Sequence, residues 1–229
     1  MVTLALDIST HTGWAILDNG KVTSSGTIHL ATVKQLQDQR KAGKERTEDM
    51  RFAALYDFIA SKLPADPTQV VFEDVQFSST QMQSQLWASL RAAIWAVARV
   101  HGKLVINCVP VGTLKSFATG SGSAKKPQMA EALAKLYPGS SVTVVKEVPT
   151  LHRPGMPDAD DNEVDAIWLA LYAKAVEDGK ESFSGVYKRK MEEKAEKRKK
   201  KAEKRLAKGA KLALKTKVKS VKLADFANQ

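Results

Sequence analysis

The 229-residue chain carries 36 Lys and Arg against 25 Asp and Glu, a formal net charge of +11, and 43% of its residues are hydrophobic. That length and composition suit one folded domain with a substantial core. The apolar runs are too short to span a bilayer, and the single cysteine, Cys108, excludes an internal disulfide or a cysteine-based zinc site. Without a secretory signal pattern, we expect a cytoplasmic location and no membrane partner.

The positive charge is concentrated towards the C-terminus. Residues 188–229 hold 17 Lys and Arg against 5 Asp and Glu, whereas residues 1–187 are close to neutral. We therefore predict a folded domain over 1–187 and a basic arm over 188–229, either helical and solvated or disordered. Such an arm indicates a polyanionic partner, most often nucleic acid; a solubilising tail and an acidic membrane surface are alternatives. The candidate DNA contacts in it are Lys197, Arg198, Lys199, Lys200 and Lys201.

Three strands are predicted at the N-terminus, in "VTLALDIS" and "GWAILDNGKVTSSGTI". Asn19-Gly20 is a strong hairpin signal between the second and third strands. Residues 29–46 are polar and basic and are predicted to form a loop. A helix follows in "TEDMRFAALYDFIASKL", where apolar residues recur at helical spacing.

The second half alternates strands and helices. "QVVFEDVQF" and "KLVINCVPV" are predicted strands, separated by a long helix that ends at Gly102. A short segment over 112–118 leads into "TGSGSAKKPQM" and a helix that tolerates Pro127 in its first turn. The last helix runs from about 161 to 177. The order βββ-α-β-α-β-α-α predicts an α/β fold with a mixed five-stranded sheet, its first three strands antiparallel, flanked by helices.

Carboxylates interrupt three of these apolar elements. Asp7 and Glu73 each lie within a strand whose other residues are apolar, and a buried carboxylate is costly unless something neutralises it. Asp161 and Asp165 are four residues apart, so they lie on one face of the last helix, where like charges repel. Acids in excess at a helix start also complement the helix dipole, which is the structural alternative for this group of acids.

Clustered carboxylates are tolerable around a cation. A ligand set made only of oxygen atoms suits Mg²⁺, with Mn²⁺ as a substitute. Two such ions can activate water and stabilise a leaving oxygen in phosphodiester cleavage. We therefore predict a site with two divalent ions, bound by Asp7, Glu73, Asp161 and Asp165.

Four stretches resemble those of RuvC-type Holliday-junction resolvases, in the same order along the chain: "LALDISTHTGWAIL", "VVFEDVQF", "LKSFATGSGSAKKPQMAEAL" and "DDNEVDAIWLALYA". The resemblance covers roughly residues 2–177 and implies an RNase H-like fold. It also implies that Asp7, Glu73 and Asp165 are catalytic acids and that basic residues at the glycine-rich turn approach the scissile phosphate. Those basic residues are Lys115 and Lys126, with Lys125 beside them as a DNA contact.

The chain departs from this family at one acid. The family often spaces its two helix acids three residues apart, and the residue three before Asp165 is Asn162. Asp161 is the substitute that we expect as fourth ligand, with Asp158 and Asp160 as alternatives.

Two further residues have both a functional and a structural interpretation. Phe77, just after the strand of Glu73, is a candidate wedge that stacks on a base at the branch point, or else a core residue. His152 is a candidate metal ligand or proton-transfer group, or else a surface histidine.

Together these features predict a metal-dependent endonuclease that cuts Holliday junctions and other branched DNA as a homodimer. A two-fold dimer would present one site to each of two equivalent strands. One alternative is an ATPase or kinase-like phosphoryl-transfer enzyme with a related fold, whose first phosphate motif also resembles "LALDISTHTGWAI". The other is a non-catalytic accessory protein that binds branched DNA through the arm.

Overall fold

The structure, a computed structural model, describes residues 2–44, 48–63, 68–75, 80–183, 196, 198–201 and 203. It divides into two units, Met1–Phe183 and Ser184–Gln229. In the second unit the described residues are helical and exposed. The predicted boundary between domain and arm after residue 187 stays a prediction.

A mixed five-stranded sheet forms the centre of the first unit. Its strands are β1 (Val2–Asp7), β2 (His11–Asp18), β3 (Lys21–His29), β4 (Thr68–Asp74) and β5 (Val105–Pro110). They lie in the order β3-β2-β1-β4-β5; β1, β2 and β3 are antiparallel, whereas β4 runs parallel to both β1 and β5. The predicted fold class is confirmed.

The turn between β2 and β3 has the conformation that its sequence predicts. Asn19 and Gly20 both have positive φ, 47° and 73°. Positive φ at both central residues is the requirement of a type I′ hairpin turn, whose twist matches that of the strands.

Six helices are described in this unit: α1 (Val33–Lys41), α2 (Met50–Lys62), α3 (Gln81–His101), α4 (Val111–Thr119), α5 (Lys126–Ala134) and α6 (Asp161–Glu177). α2 and α3 cover one face of the sheet and form the main apolar core with it, including Leu55, Ile94, Leu6 and Phe72. α6 packs on the opposite face against β1 and β2, and α4 and α5 pack beside it. None of the described helices is both long enough and apolar enough to cross a bilayer.

The face of the sheet covered by α6, which we call the site face, carries polar side chains. Side chains alternate along a strand, so Thr3 and Asp7 of β1 lie on the same face. Gln69 of β4 donates to Thr3 Oγ1 at 3.0 Å and accepts from Asn107 Nδ2 of β5 at 2.8 Å. These hydrogen bonds satisfy the buried polar groups across three neighbouring strands, as burial requires.

The predicted loop over 29–46 is wrong, because α1 lies within it. Thr32 and Gln35 form a capping box at its start, while Arg40 and Lys41 lie in its last turn. No residue of α1 is buried. Only two of its nine residues, Val33 and Leu36, are apolar, so the hydrophobic pattern is too short to distinguish this helix from a loop.

Two other segments also have more structure than predicted. The segment over 112–118 is the helix α4, and a hairpin of β6 (Ser141–Val145) and β7 (Val148–His152) precedes α6. The hairpin turns at Lys146 and Glu147, with φ of 51° and 67°. Neither residue is among the usual residues for positive φ, so no turn signal marks this hairpin in the sequence.

Candidate active site

Asp7 and Glu73 lie side by side at the ends of two parallel strands. Leu6 of β1 pairs with Phe72 of β4, so the next residue of each strand is Asp7 and Glu73 respectively. Both side chains point to the site face, while Leu6 and Phe72 point into the apolar core on the other face.

A glycine in β2 allows α6 to pack closely on β1 and β2. Gly13 of β2 pairs with Asp7, and a β-carbon on Gly13 would lie 1.9 Å from the carbonyl oxygen of Asn162. Only glycine allows this close approach of a helix backbone to a strand. Asp161 and Asp165, on either side of Asn162 along α6, are thereby held beside Asp7.

The pKa values show that these acids act on one another. Burial, then the charges of Glu73 and Asp165, raise the pKa of Asp7 well above its ordinary value. Burial and then the charge of Asp165 raise the pKa of Glu73 to about 7. Burial raises the pKa of Asp165 to about 6, and Asp161 adds to the increase. Four acids from three elements therefore form one carboxylate cluster, defined by Asp7, Glu73, Asp161 and Asp165.

Two lysines offset part of this negative charge. Lys126, at the start of α5, donates a hydrogen bond to Asp161. Burial lowers the pKa of Lys126, but the bond to Asp161 and the neighbouring acids outweigh it, so the net shift is upward. Lys115 of α4 and Lys126 both lower the pKa of Glu73 and of Asp165.

The glycine-rich turn between α4 and α5 places Lys126 beside the carboxylate cluster. Gly120 ends α4 with φ of 80°, and a β-carbon on Gly122 would lie 3.0 Å from the carbonyl oxygen of Gly112, so the turn packs tightly on the start of α4. Gln128 accepts a hydrogen bond from the backbone N–H of Lys125 at 2.8 Å. This fixes the start of α5, with Lys126 directed at the cluster and Lys125 exposed.

The donor set fits a hard divalent cation. All four acids offer oxygen ligands, and Asp165 Oδ1 is buried without a hydrogen-bond partner among the described residues. In the same residues, no three Asp, Glu, His or Cys side chains converge closely enough to bind one ion. The Lys126 ammonium group instead bonds to Asp161, so ion binding requires the side chains of the cluster to shift.

The two alternative ligands have other partners. Asp160 caps α6, accepting from the backbone N–H of Glu163 at 2.9 Å and from Thr27 Oγ1 at 2.6 Å. Asp158 lies 2.9 Å from His152 Nδ1, and His152 Nε2 contacts Thr143 at 2.8 Å. Of the acids considered for the fourth position, Asp161 is the one that the structure places in the cluster.

A buried ion pair beside the cluster has no signal in the sequence. Arg153, 6% exposed, donates to Glu163, 5% exposed, across 2.5 Å, and Ser25 Oγ donates to the same carboxylate at 2.7 Å. Arg153 also donates to the carbonyl of Pro157 at 3.1 Å. In the sequence, Glu163 cannot be distinguished from any other acidic residue in the first turn of a helix. The structure shows that its carboxylate connects α6 to β3 and to the segment after β7.

The remaining predicted DNA contacts are only partly described. Phe77 and Lys197 lie outside the described residues. Arg198 and residues 199–201 are helical and exposed, and Lys200 lies 2.7 Å from Glu196. Their contact with DNA, like the catalytic roles of the clustered residues, stays a prediction.

Comparison with known proteins finds a likeness in structure alone. No family model and no curated protein matches this chain. Among solved structures, a T. thermophilus RuvC in complex with Holliday junction substrate is 17% identical, with a TM-score of 0.48 over 79% of this chain and 97% of that chain. A second Thermus thermophilus RuvC structure is 19% identical, with a TM-score of 0.47 over 79% and 98%. At these identities the likeness is one of fold.

Proposed function

We propose that this protein is a divalent-metal-dependent endonuclease that cuts Holliday junctions and other branched DNA. The observation that carries the proposal is the carboxylate cluster. Asp7, Glu73 and Asp165 come from three separate elements and meet on the site face of the sheet, where burial raises the pKa of each carboxyl group. A fold that only bound DNA would have no reason to gather negative charge beside two lysines at a glycine-rich turn.

Asp7, Glu73, Asp161 and Asp165 would hold two Mg²⁺ ions, or Mn²⁺ in their place. When bound, such ions activate a water molecule and stabilise the leaving oxygen of a phosphodiester. Lys126 and Lys115 bring positive charge to the same place from α5 and α4, and we assign them to the phosphate being cut. Lys126 bonds to Asp161, and we infer that this lysine would exchange the carboxylate for a phosphate oxygen when the substrate binds.

Substrate affinity would come largely from the basic arm. Arg198 and residues 199–201 expose their side chains, and Lys or Arg contacts with phosphate raise affinity for any DNA, in a salt-dependent way. Preference for branched DNA would then come from the folded unit, which reads the shape of the junction.

We also propose that the protein acts as a homodimer. Three apolar side chains of α3 are exposed in the single chain: Met82 (72%), Trp95 (56%) and Val100 (71%). These side chains do not form one patch on the helix, but Trp is enriched in the interfaces between proteins, so we place the dimer contact at Trp95. The measurement is the mass of the protein in solution, and Trp95→Glu should shift it towards the monomer.

The test of the proposed function is cleavage of a synthetic four-way junction in Mg²⁺, compared with linear duplex of the same sequence. We expect cuts in the junction, abolished by Asp7→Asn and by chelation, with binding retained. Binding of the junction without any cut would favour the accessory protein. ATP hydrolysis without DNA cleavage would favour the phosphoryl-transfer enzyme.

A further inference from the structure

Two histidines face each other at the end of the sheet nearest the cluster. His11 is the first residue of β2, His29 is the last of β3, and the two are direct partners in the antiparallel pairing. Their ring centroids are 4.4 Å apart with an angle of 62° between the planes, and both residues are exposed. We call them the histidine pair.

The histidine pair lies on the site face. Gly13, two residues after His11, contacts the α6 backbone, and Thr27, two residues before His29, bonds to Asp160 at the helix start. Residues two apart on a strand share a face, so both imidazoles stand just beyond the first turn of α6.

The same register sets the distance to the cluster. Asp7 pairs with Gly13, which makes His11 the diagonal neighbour of Asp7 across the two strands. Diagonal neighbours of this kind are about 7–8 Å apart, close to one step along a nucleic-acid backbone. The histidine pair thus stands at the rim of the cluster, one backbone unit from the place where a phosphate would be cut.

The two rings contact each other edge to face. Among the described residues, no hydrogen bond or ion pair is made by either imidazole. A neutral imidazole offers one N–H donor and one acceptor nitrogen, so each ring has a donor available for a ligand oxygen. In the described part of the chain the pair supplies two nitrogen ligands, fewer than the three protein ligands of a typical transition-metal site.

We propose that the histidine pair binds a backbone phosphate of the cleaved strand, next to the scissile one. The inference rests on the proposed nuclease function and adds a substrate contact to its site. A phosphate at this position would lie outside the carboxylate cluster and would accept hydrogen bonds from two N–H donors. The pair would therefore hold the strand in register, so that the neighbouring phosphate lies against Lys126 and the cluster.

The experiment is a double-mutant cycle between the protein and single phosphates. The cut position is first mapped with wild-type protein in Mg²⁺. A neutral methylphosphonate is then placed, one at a time, at the phosphates on either side of that position in a four-way junction. Binding of each junction is measured in chelator for the wild type, His11→Ala, His29→Ala and the control His101→Ala, an exposed histidine at the end of α3.

We expect wild type to lose about fivefold in affinity at one flanking phosphate, the size of one or two hydrogen bonds. His11→Ala and His29→Ala should each show part of that loss already on unmodified DNA, with a smaller further loss than the wild type at that phosphate, because one of the two donors remains; His101→Ala should behave as wild type. Equal sensitivity of wild type and histidine variants at every phosphate would overturn the inference while leaving the nuclease in place. A lowered melting temperature with unchanged affinity would mean that the pair only caps the sheet. A wild-type protein that neither binds nor cuts the junction would overturn the proposed function itself.

Discussion

Lys126 donates a hydrogen bond to Asp161 and so links the start of α5 to the start of α6. The same ammonium group lowers the pKa values of Glu73 and Asp165, which burial has raised to about 7 and about 6. Cleavage that needs these acids ionised should therefore depend on Lys126 in a way that a pH profile reveals.

Lys126→Met should shift the acidic limb of the cleavage profile to higher pH. Without the ammonium charge, the carboxylic acids hold their protons longer, and the rate rises later as pH increases. The measurement is the single-turnover cleavage rate of a four-way junction between pH 5 and 9. Lys125→Met is the matched control, since Lys125 is the exposed neighbour, and its profile should keep the wild-type midpoint. An identical shift in both variants would count against a specific role for Lys126.

Glu73→Gln should change how stability varies with pH. The pKa of Glu73 is about 7 in the folded protein against 4.5 ordinarily, so between these values the folded state keeps a proton that the unfolded state has lost. The free energy of unfolding of the wild type should thus fall as pH rises from 4.5 to 7. Urea titrations in chelator should show that the free energy of unfolding of the variant, relative to that of the wild type, increases by about 1–3 kcal/mol between pH 4 and pH 8. The exposed Glu131→Gln should show no such gain; a parallel course for the wild type and Glu73→Gln would rule out the raised pKa.

Gly13→Ala should damage both the fold and the activity. The new β-carbon would lie 1.9 Å from the Asn162 carbonyl oxygen, a backbone atom that cannot rotate away, so α6 must move. We expect a loss of about 1–3 kcal/mol in the free energy of unfolding, and a larger proportional loss of cleavage. Gly112→Ala, where the nearest atom is 3.6 Å away, should be close to neutral in stability. Wild-type cleavage by Gly13→Ala would show that the close approach is unnecessary.

Arg153→Met should destabilise the protein by about 3–5 kcal/mol, because it leaves the Glu163 carboxylate buried without its cation. The double variant with Glu163→Met should recover much of the loss, since no unpaired charge remains. Thermal unfolding of the three proteins is the measurement. Removing the exposed partner of another ion pair, by Asp178→Asn, should leave the melting temperature unchanged. A single variant as stable as wild type would show that the pair does not fasten α6.

Neutralising the arm should weaken binding to junction and duplex alike. With Arg198 and residues 199–201 changed to Gln, fewer phosphate contacts form, and each one lost reduces the slope of log affinity against log salt by roughly 0.9 on duplex DNA. Salt titrations of the variant and the wild type on both DNAs measure this. Preference for the junction should persist, because we expect the folded unit, and not the arm, to recognise the shape of the DNA. An unchanged slope would leave solubility or a protein partner as the role of the arm.

The sequence predicts those parts of the fold that have an apolar stripe or an unusual residue. α6 was expected over about 161–177 and runs over Asp161–Glu177, because its long apolar face is unmistakable. The Asn19-Gly20 dipeptide predicts its turn because both residues tolerate positive φ, which both adopt. α1 buries nothing, and the hairpin turn at Lys146 and Glu147 uses residues with no turn preference, so neither has a signal.

The sequence likewise indicates some residues of the candidate site and not others. Asp7 and Glu73 are conspicuous because they interrupt apolar strands, and the structure brings them together with Asp161 and Asp165. Arg153 and Glu163 are ordinary charges in the sequence, and their burial follows from how β7 returns to α6. The contact between Gly13 and Asn162 is likewise a property of the packed helix, which local sequence does not encode.

The cluster also fixes when, during synthesis, the site comes into being. Asp7 belongs to the first strand of the first unit, whereas Asp161 and Asp165 belong to α6, which is close to the C-terminal end of that unit, and α6 is the element that covers β1 and β2 on the site face. Chains leave the ribosome at about 5–20 residues per second, and a domain generally folds as one unit. The first unit therefore cannot fold fully before α6 has emerged, and a nascent chain that still lacks α6 has at most half of the cluster and an uncovered site face. The folding step that completes the core is thus the step that completes the cluster, and a product terminated before α6 would lack the proposed site.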